Sequence, residues 1–240
     1  MGKNIVGLMN NTPRKEIKKM STNSIPHKKL AVVLVDFQGD FTEEKQGSLA
    51  VPGTDKNYIM EVIDATKRFV DNNLPVYATQ DWHPDNHMSF YTNHPGTHPF
   101  DTIEINGRSQ IMWQPHCIQG TEGADILIDK KILKQVIQKG MDPRFDSYSG
   151  FTDDGGKKTQ LEEIINQGGV TELIIYGLAT DYCVKATVLD AIKASFRVHL
   201  LLDLCRGVLP ETTASAIEKM RTHGADITGK AAFNLDKIKE

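Results

Sequence analysis

Val170-Thr171-Glu172-Leu173-Ile174-Ile175-Tyr176, followed at once by Gly177-Leu178-Ala179-Thr180-Asp181-Tyr182-Cys183-Val184, is the stretch from which the fold of this chain is read. The first half, Val170 to Tyr176, is apolar and β-branched and reads as a fully buried strand. Beyond the turn, apolar residues recur at Val184, Val188, Ala191 and Ile192, the spacing of one helical face. Thr180 is the expected N-cap, which sets Cys183 in the first helical turn. A thiol there lies against the positive end of the helix dipole, and its thiolate is favoured. The backbone N–H groups of the same turn can receive a developing oxyanion. The plainer alternative is a small cysteine packed beneath a helix, since free cysteine is often simply core.

Upstream, Leu30 to Val35 is a continuous apolar run ending on Asp36. Unbroken hydrophobicity predicts a central parallel strand covered on both faces, with Asp36 at the carboxyl end where such sheets bind ligands. Asp40, in the loop that follows, is read as a structural carboxylate. Residues 56–71 carry helical spacing at Ile59, Val62, Ile63, Ala65, Phe69 and Val70, stopped by Asn72-Asn73 and Pro75. Val76 to Thr79 is a short strand, and Gln135 to Gln138 another that runs into Lys139-Gly140. Leu161 to Ile165 lies on a helix, Arg197 to Leu202 is a buried strand, Glu211 to Thr222 a helix, and Ala225 to Ile227 a last edge strand. Strands alternating with helices predict an α/β chain: three layers, a doubly wound, mostly parallel sheet with helices on both faces.

Composition narrows the class. The 240 residues are 39% hydrophobic and 25% charged, with a net charge of −3, which is ordinary for a soluble globular protein. That charge gives no reason to expect nucleic acid or a membrane surface as partner. No run approaches transmembrane length, and Ile5 to Met9 is too short for a signal peptide. Cys117, Cys183 and Cys205 have unrelated spacings and an odd count, so free thiols and a reducing, cytoplasmic compartment are expected. Residues 1–28 are polar and lack periodicity, and are expected to be a flexible extension preceding one domain over 29–240.

Between Gln80 and Gly123 the chain reads as a long irregular stretch, and loops of that length are usually functional. Five of the eight histidines fall between positions 83 and 116, with Trp82, Phe90 and Trp113 among them. Asp81-x-His83 can present a carboxylate and an imidazole to one side of an extended loop. His116 completes a set suited to a divalent transition ion, Zn²⁺, Fe²⁺ or Mn²⁺. His87 is a further candidate, as a direct ligand or through a water, whereas His94 and His98 are read as surface residues. Asp36, Asp81, Lys139 and Cys183 all stand at the ends of expected strands, so a parallel sheet brings them to one edge. There a carboxylate beside the thiol serves as base, and the ammonium holds the carboxylate ionised.

These residues also carry a resemblance. Asp36-Phe37-Gln38-Gly39-Asp40-Phe41 with Gly47-Ser48-Leu49-Ala50-Val51 resembles the N-terminal signature of the nicotinamidase/pyrazinamidase family of isochorismatase-like cysteine hydrolases. Thr79 to Phe90, Trp113-Gln114-Pro115-His116-Cys117, Lys139-Gly140 with Asp146 to Phe151, and Ala179 to Val184 follow in the family's order. The resemblance implies the isochorismatase-like hydrolase fold and a metal-dependent amidohydrolase that deamidates nicotinamide to nicotinate and ammonia in NAD salvage, accepting pyrazinamide as well. It implies Cys183 as nucleophile, Asp36 as general base and acid, and Lys139 as third member of the triad. Asp81, His83 and His116 are the implied ligands of one metal ion, zinc foremost, that holds the pyridine nitrogen. Phe41, Trp113 and Tyr148 match the aromatic walls of the pocket and Leu49 its apolar rim. A cis peptide before Ala179 is implied, with the Ala179 and Cys183 N–H groups as oxyanion hole.

The chain departs from the family pattern in three places: Trp113-Gln114 replaces the usual Trp-Pro, residues before Leu30 have no counterpart, and Asn93 to Arg108 is long. Two rival readings stand beside this one. The first is a metal-independent hydrolase of the same superfamily acting on another small amide, a ureido or carbamoyl group or a vinyl ether. The second is a non-catalytic ligand- or metal-binding module, which needs no nucleophile with its own base.

Overall fold

Twelve elements follow one another in the order β1 (Leu30–Val35), α1 (Lys56–Asp71), β2 (Val76–Asp81), β3 (Thr102–Ile105), β4 (Arg108–Ile111), β5 (Gln135–Lys139), α2 (Leu161–Gln167), β6 (Glu172–Leu178), α3 (Lys185–Lys193), β7 (Arg197–Arg206), α4 (Pro210–Thr222) and β8 (Asp226–Thr228). The structure is a computed structural model that describes residues 1–2 and 29–229. The flexible extension expected over 1–28 therefore falls, from residue 3 onward, outside the described residues.

Six strands form one sheet in the order β5-β2-β1-β6-β7-β8, and every pairing in it is parallel. The unbroken apolar runs occupy its middle: all six residues of β1 and all seven of β6 are buried. α1 starts at Asp55, whose carboxylate accepts from the Tyr58 N–H, and buries Phe69 6.0 Å from the Tyr176 ring of β6. From β1 the chain moves outward to β2 and β5, then returns to lay β6 on the other side of β1. With right-handed crossovers this reversal puts helices on both faces. It also opens a crevice between the carboxyl ends of β1 and β6, the position where such sheets bind ligands. Asp36 follows β1 there, and Ala179 to Cys183 follow β6.

Several sequence expectations shift by a few residues. The strand expected over Val170 to Tyr176 spans Glu172–Leu178, because residues 170 and 171 lead into the sheet and the ladder with β1 continues to Val35↔Gly177. β2 runs on to Asp81, so that Asp81 and Lys139 are paired directly across β2 and β5. The stretch from Gln80 to Gly123 is not irregular throughout. It contains an antiparallel hairpin, β3 and β4, closed by Asn106-Gly107, both with positive φ. Asn-Gly between short alternating segments is a hairpin signal in its own right.

The expected cap at Thr180 is corrected as well. Thr180–Val184 forms one wide π-helical turn before α3, with Ala179 in cap position and no side-chain capping bond. Such turns sit mostly at functional sites. Asp181 caps a different helix: its carboxylate accepts from the Val208 and Leu209 N–H groups and from the Thr212 hydroxyl at the start of α4.

Candidate active site

Asp36 ends β1 with a φ of 44°, a left-handed conformation rare outside glycine. Such strain persists where the surroundings over-determine it, typically at functional sites. Here Thr79 of β2 does the holding. Its hydroxyl accepts from the Asp36 N–H at 3.1 Å and donates to Asp36 Oδ1 at 2.6 Å. Lys139, at the end of β5, is fully buried and turns its ammonium into the same space. Nζ stands 2.9 Å from Asp36 Oδ2, 2.5 Å from Asp81 Oδ1, 2.7 Å from the Ser147 carbonyl and 3.5 Å from Cys183 Sγ. A carboxylate oxygen from each of Asp36 and Asp81 and the sulfur of Cys183 lie within 4.8 Å of one another.

One ammonium thus serves two carboxylates, and it serves them unequally. Burial works against the charge of both, but Asp81 has the shorter bond to Lys139 together with His83 and His116 as neighbours, and its carboxyl lies well below the usual range. Asp36 is raised, since burial outweighs Lys139 and the Asp81 charge adds to the rise. Two carboxylates whose environments drive them apart take different tasks, one staying ionised and the other exchanging a proton. The Cys183 thiol differs from expectation. Burial pushes it well above its ordinary value; Lys139 pulls it down, and the charges of Asp36 and Asp81 push it up. Burial of the thiol opposes the stabilisation of the thiolate expected from its place in the turn.

Asp81, His83 and His116 offer three ligand atoms within 4.8 Å of one another, all buried. His83 holds its Nδ1 on the Gly140 carbonyl at 2.9 Å, and His116 its Nδ1 on the Gln114 carbonyl at 2.7 Å. Nδ1–H donation to a carbonyl leaves Nε2 as the lone-pair nitrogen, the arrangement that orients metal-ligating imidazoles. Gln38 clamps the Asp81 backbone, donating to its carbonyl at 2.8 Å and accepting from its N–H at 2.7 Å. Burial and then the charge of His83 bring His116 down to about 4, so it stands neutral, while Asp81 overcomes burial to raise His83. The donor set, one ionised carboxylate and two oriented imidazoles, fits a divalent transition ion. His87 packs 4.3 Å from His83, ring to ring, but both its nitrogens are engaged, with the Ser89 hydroxyl and the Phe145 carbonyl. It buttresses His83 in this structure. His98 is exposed as expected, whereas His94 is half-buried and hydrogen-bonds the Met88 carbonyl.

A cavity opens over Cys183 and Asp81, with Phe41, Leu49, Trp113 and Tyr148 in its walls. The Trp113 indole N–H donates to the Tyr148 hydroxyl at 3.0 Å, which fixes both rings. Sequence reasoning passed over Tyr182, Ser147, Val51 and Val208, which also line it. Tyr182 stands edge-on to Trp113 at 4.9 Å. Its place beside the nucleophile was the one signal available. Thr79 and Gln38 were missed in the same way, although both sit inside motifs quoted above. Asp40 is structural, its carboxylate accepting from the Cys117 N–H at 2.7 Å. The Leu178–Ala179 peptide is cis.

A thiol, a carboxylate and an ammonium thus lie buried together at the switch point of a parallel sheet, and the chain belongs to the isochorismatase domain family, matching it over residues 30–232. The relatives it resembles include several nicotinamidases. It is 41% identical to the nicotinamidase of Escherichia coli K12 over 206 residues, covering 82% of this chain and 93% of that one. A nicotinamidase/pyrazinamidase structure from Acinetobacter baumanii superposes with a TM-score of 0.77 at 35% identity, covering 87% of this chain and 99% of that one. The pyrazinamidase of Pyrococcus horikoshii in complex with zinc superposes at 0.69, again with 35% identity, covering 84% and 99%.

Proposed function

We propose that the protein deamidates nicotinamide to nicotinate and ammonia through a thioester on Cys183. The observation that carries this reading is the convergence of Asp36, Lys139 and Cys183 beside Asp81, His83 and His116 beneath one aromatic-walled cavity. Asp36 takes the Cys183 proton as Sγ bonds to the carboxamide carbon, and the carbonyl electrons move onto oxygen. The Ala179 and Cys183 N–H groups receive that oxyanion. As it collapses, the C–N bond breaks and Asp36 gives its proton to the nitrogen, releasing ammonia. Asp36 then takes a proton from water, whose oxygen attacks the thioester carbon. The C–S bond breaks, the thiolate recovers the proton from Asp36, and nicotinic acid leaves. Lys139 stays charged throughout and keeps both carboxylates and the transient thiolate in reach.

Asp81, His83 and His116 are the residues that hold a metal ion, and zinc suits a two-imidazole, one-carboxylate set. Such an ion supplies an anchor for the ring nitrogen. Phe41, Trp113 and Tyr148 enclose the ring, with Leu49 at the rim. Relatives named nicotinamidase/pyrazinamidase support pyrazinamide as a second substrate. Free Cys117, Cys183 and Cys205 fit a reducing cytoplasm. The zinc bound to the Pyrococcus horikoshii relative supports the choice of metal. Among the described residues no helix is long and apolar enough to cross a membrane.

The test is ammonia release from nicotinamide by purified protein, with metal content measured on the same sample and Cys183→Ala as control. Turnover that disappears in the variant, with about one transition ion per chain, is the expected result. Metal without turnover moves the substrate elsewhere in the superfamily. Turnover that survives Cys183→Ala overturns the mechanism.

A further inference from the structure

Among the described residues, three buried side-chain atoms have no hydrogen-bond partner: Asp36 Oδ2, Ser147 Oγ and Thr228 Oγ1. Thr228 lies on the edge strand β8, remote in the sheet order from β1 and β5. The other two belong to residues at Cys183. Asp36 Oδ2 has at least its ion pair with Lys139. Ser147 Oγ has nothing, although the residue is 2% exposed and lines the cavity over the nucleophile. Native chains rarely leave a buried hydroxyl unpaired, so one on a residue that lines a ligand cavity calls for a partner there.

The placement of that hydroxyl is rigid. The Ser147 N–H donates to Asp146 Oδ1 at 2.8 Å, and its carbonyl accepts from Lys139 Nζ at 2.7 Å. The same ammonium stands 3.5 Å from Cys183 Sγ. With both backbone groups committed, only rotation about the Cα–Cβ and Cβ–Oγ bonds remains, and the residue lines the cavity together with Cys183. Its neighbours on the loop are already used: Asp146 accepts from Gln110 at 2.8 Å, and Ser149 Oγ from the Phe151 N–H at 3.1 Å.

A primary carboxamide brings one acceptor and two N–H donors. The backbone N–H groups take its oxygen, and Asp36 faces one N–H. The second needs an acceptor within the cavity. We infer that Ser147 Oγ accepts the second N–H of the substrate carboxamide and holds the departing nitrogen for protonation by Asp36, so that the site favours an amide leaving group over an ester. The inference rests on the deamidation proposed above. No further reactant enters: the nitrogen keeps both its hydrogens, one of them hydrogen-bonded to Ser147 Oγ, and leaves as ammonia on taking the Asp36 proton.

Methyl nicotinate separates this role from packing. It has the same ring and acyl carbon and reaches the same thioester, but its leaving group has no hydrogen to donate. Ser147→Ala and the near-isosteric Ser147→Cys are compared with wild type on both substrates, after circular dichroism and metal content show an intact fold. The expected result is a fall of about 10- to 100-fold in kcat/KM for nicotinamide, the usual consequence of an unpaired buried donor. The ester falls far less, so the amide-to-ester ratio drops at least about tenfold. An equal loss on both substrates makes Ser147 a packing residue and overturns the inference, as does a ratio unmoved in both variants. Wild-type protein that releases no ammonia from nicotinamide overturns the functional reading and this inference together. Wild-type turnover with an unmoved ratio overturns the inference alone.

Discussion

Lys139 balances two buried carboxylates with one charge, and removing either sign has opposite consequences. Lys139→Met leaves Asp36 and Asp81 facing each other without compensation, at a cost of about 3–5 kcal/mol in a denaturant titration. Asp36→Asn keeps the shape, removes one of the two repelling charges, and is expected to lose activity while unfolding at the wild-type denaturant midpoint or above it. An equal destabilisation by both changes would contradict this account of the cluster. The same electrostatics set a pH profile. Asp36 works as a base only when ionised, and its carboxyl is raised by burial against the pull of Lys139. The acid limb of kcat/KM therefore lies above the ordinary carboxylate range: activity is lost, as pH falls, sooner than for a solvated aspartate. Thr79 donates to Asp36 Oδ1 and so favours the ionised form. Thr79→Val is expected to move the limb to still higher pH, and a limb that moves down or stays would exclude Thr79 from that role.

At the scale of elements, the turn after β5 serves two purposes at once. Lys139 is its last strand residue, and Gly140 has a φ of 67° with a carbonyl that holds His83. A Cβ on Gly140 would stand 2.3 Å from the His83 ring. Gly140→Ala therefore displaces a proposed ligand without touching its donor atom. Metal affinity, read by competition with a chromogenic chelator, is expected to fall about 10- to 100-fold, the range for lost outer-shell support. Unchanged affinity would remove His83 from the ligand set. A second close approach lies between β1 and β6: Gly177 has a φ of 132°, and a Cβ there would meet the Val35 carbonyl at 2.1 Å. That contact lets Asp36 and the Ala179 turn share one crevice. The strand ends were legible because unbroken apolar runs stop at Asp36 and Gly177. The β3–β4 hairpin was overlooked because its strands are only four residues each and a single residue of them, Gln110, is buried, although Thr102 to Ile105 alternates and Asn106-Gly107 marks the turn.

For the whole molecule, the family match begins at residue 30, and Lys29 already pairs its N–H with the Thr171 hydroxyl. A chain of residues 29–240 is expected to fold and to keep the wild-type kcat/KM, which a truncated protein in the same ammonia assay checks directly. Loss of solubility or activity would make the first 28 residues part of the domain. Metal bound to the folded state adds to stability by linkage, about 2.7 kcal/mol at a free concentration of a hundred dissociation constants. Chelation should lower the melting temperature by about 5–10 °C for a domain of this size, and zinc should restore it. A melting temperature indifferent to both would argue against a site built from Asp81, His83 and His116.

The sequence by itself determined the parallel core, the strand ends that carry Asp36, Lys139 and Cys183, and the family to which the chain belongs. It could do so because burial on both faces of a strand leaves a continuous apolar signature, and because the motif residues keep fixed spacing from the strands that position them. Only the tertiary structure decided how the charges are shared. Burial raises both Asp36 and Asp81, but at Asp81 the charges of Lys139, His83 and His116 overcome it and at Asp36 Lys139 does not, and these groups lie far apart in sequence. The Cys183 thiol, favoured as thiolate by its place in the chain, is pushed upward by burial that no local pattern records. Electrostatic energies depend on distance and desolvation in three dimensions, and neither quantity is written along the chain.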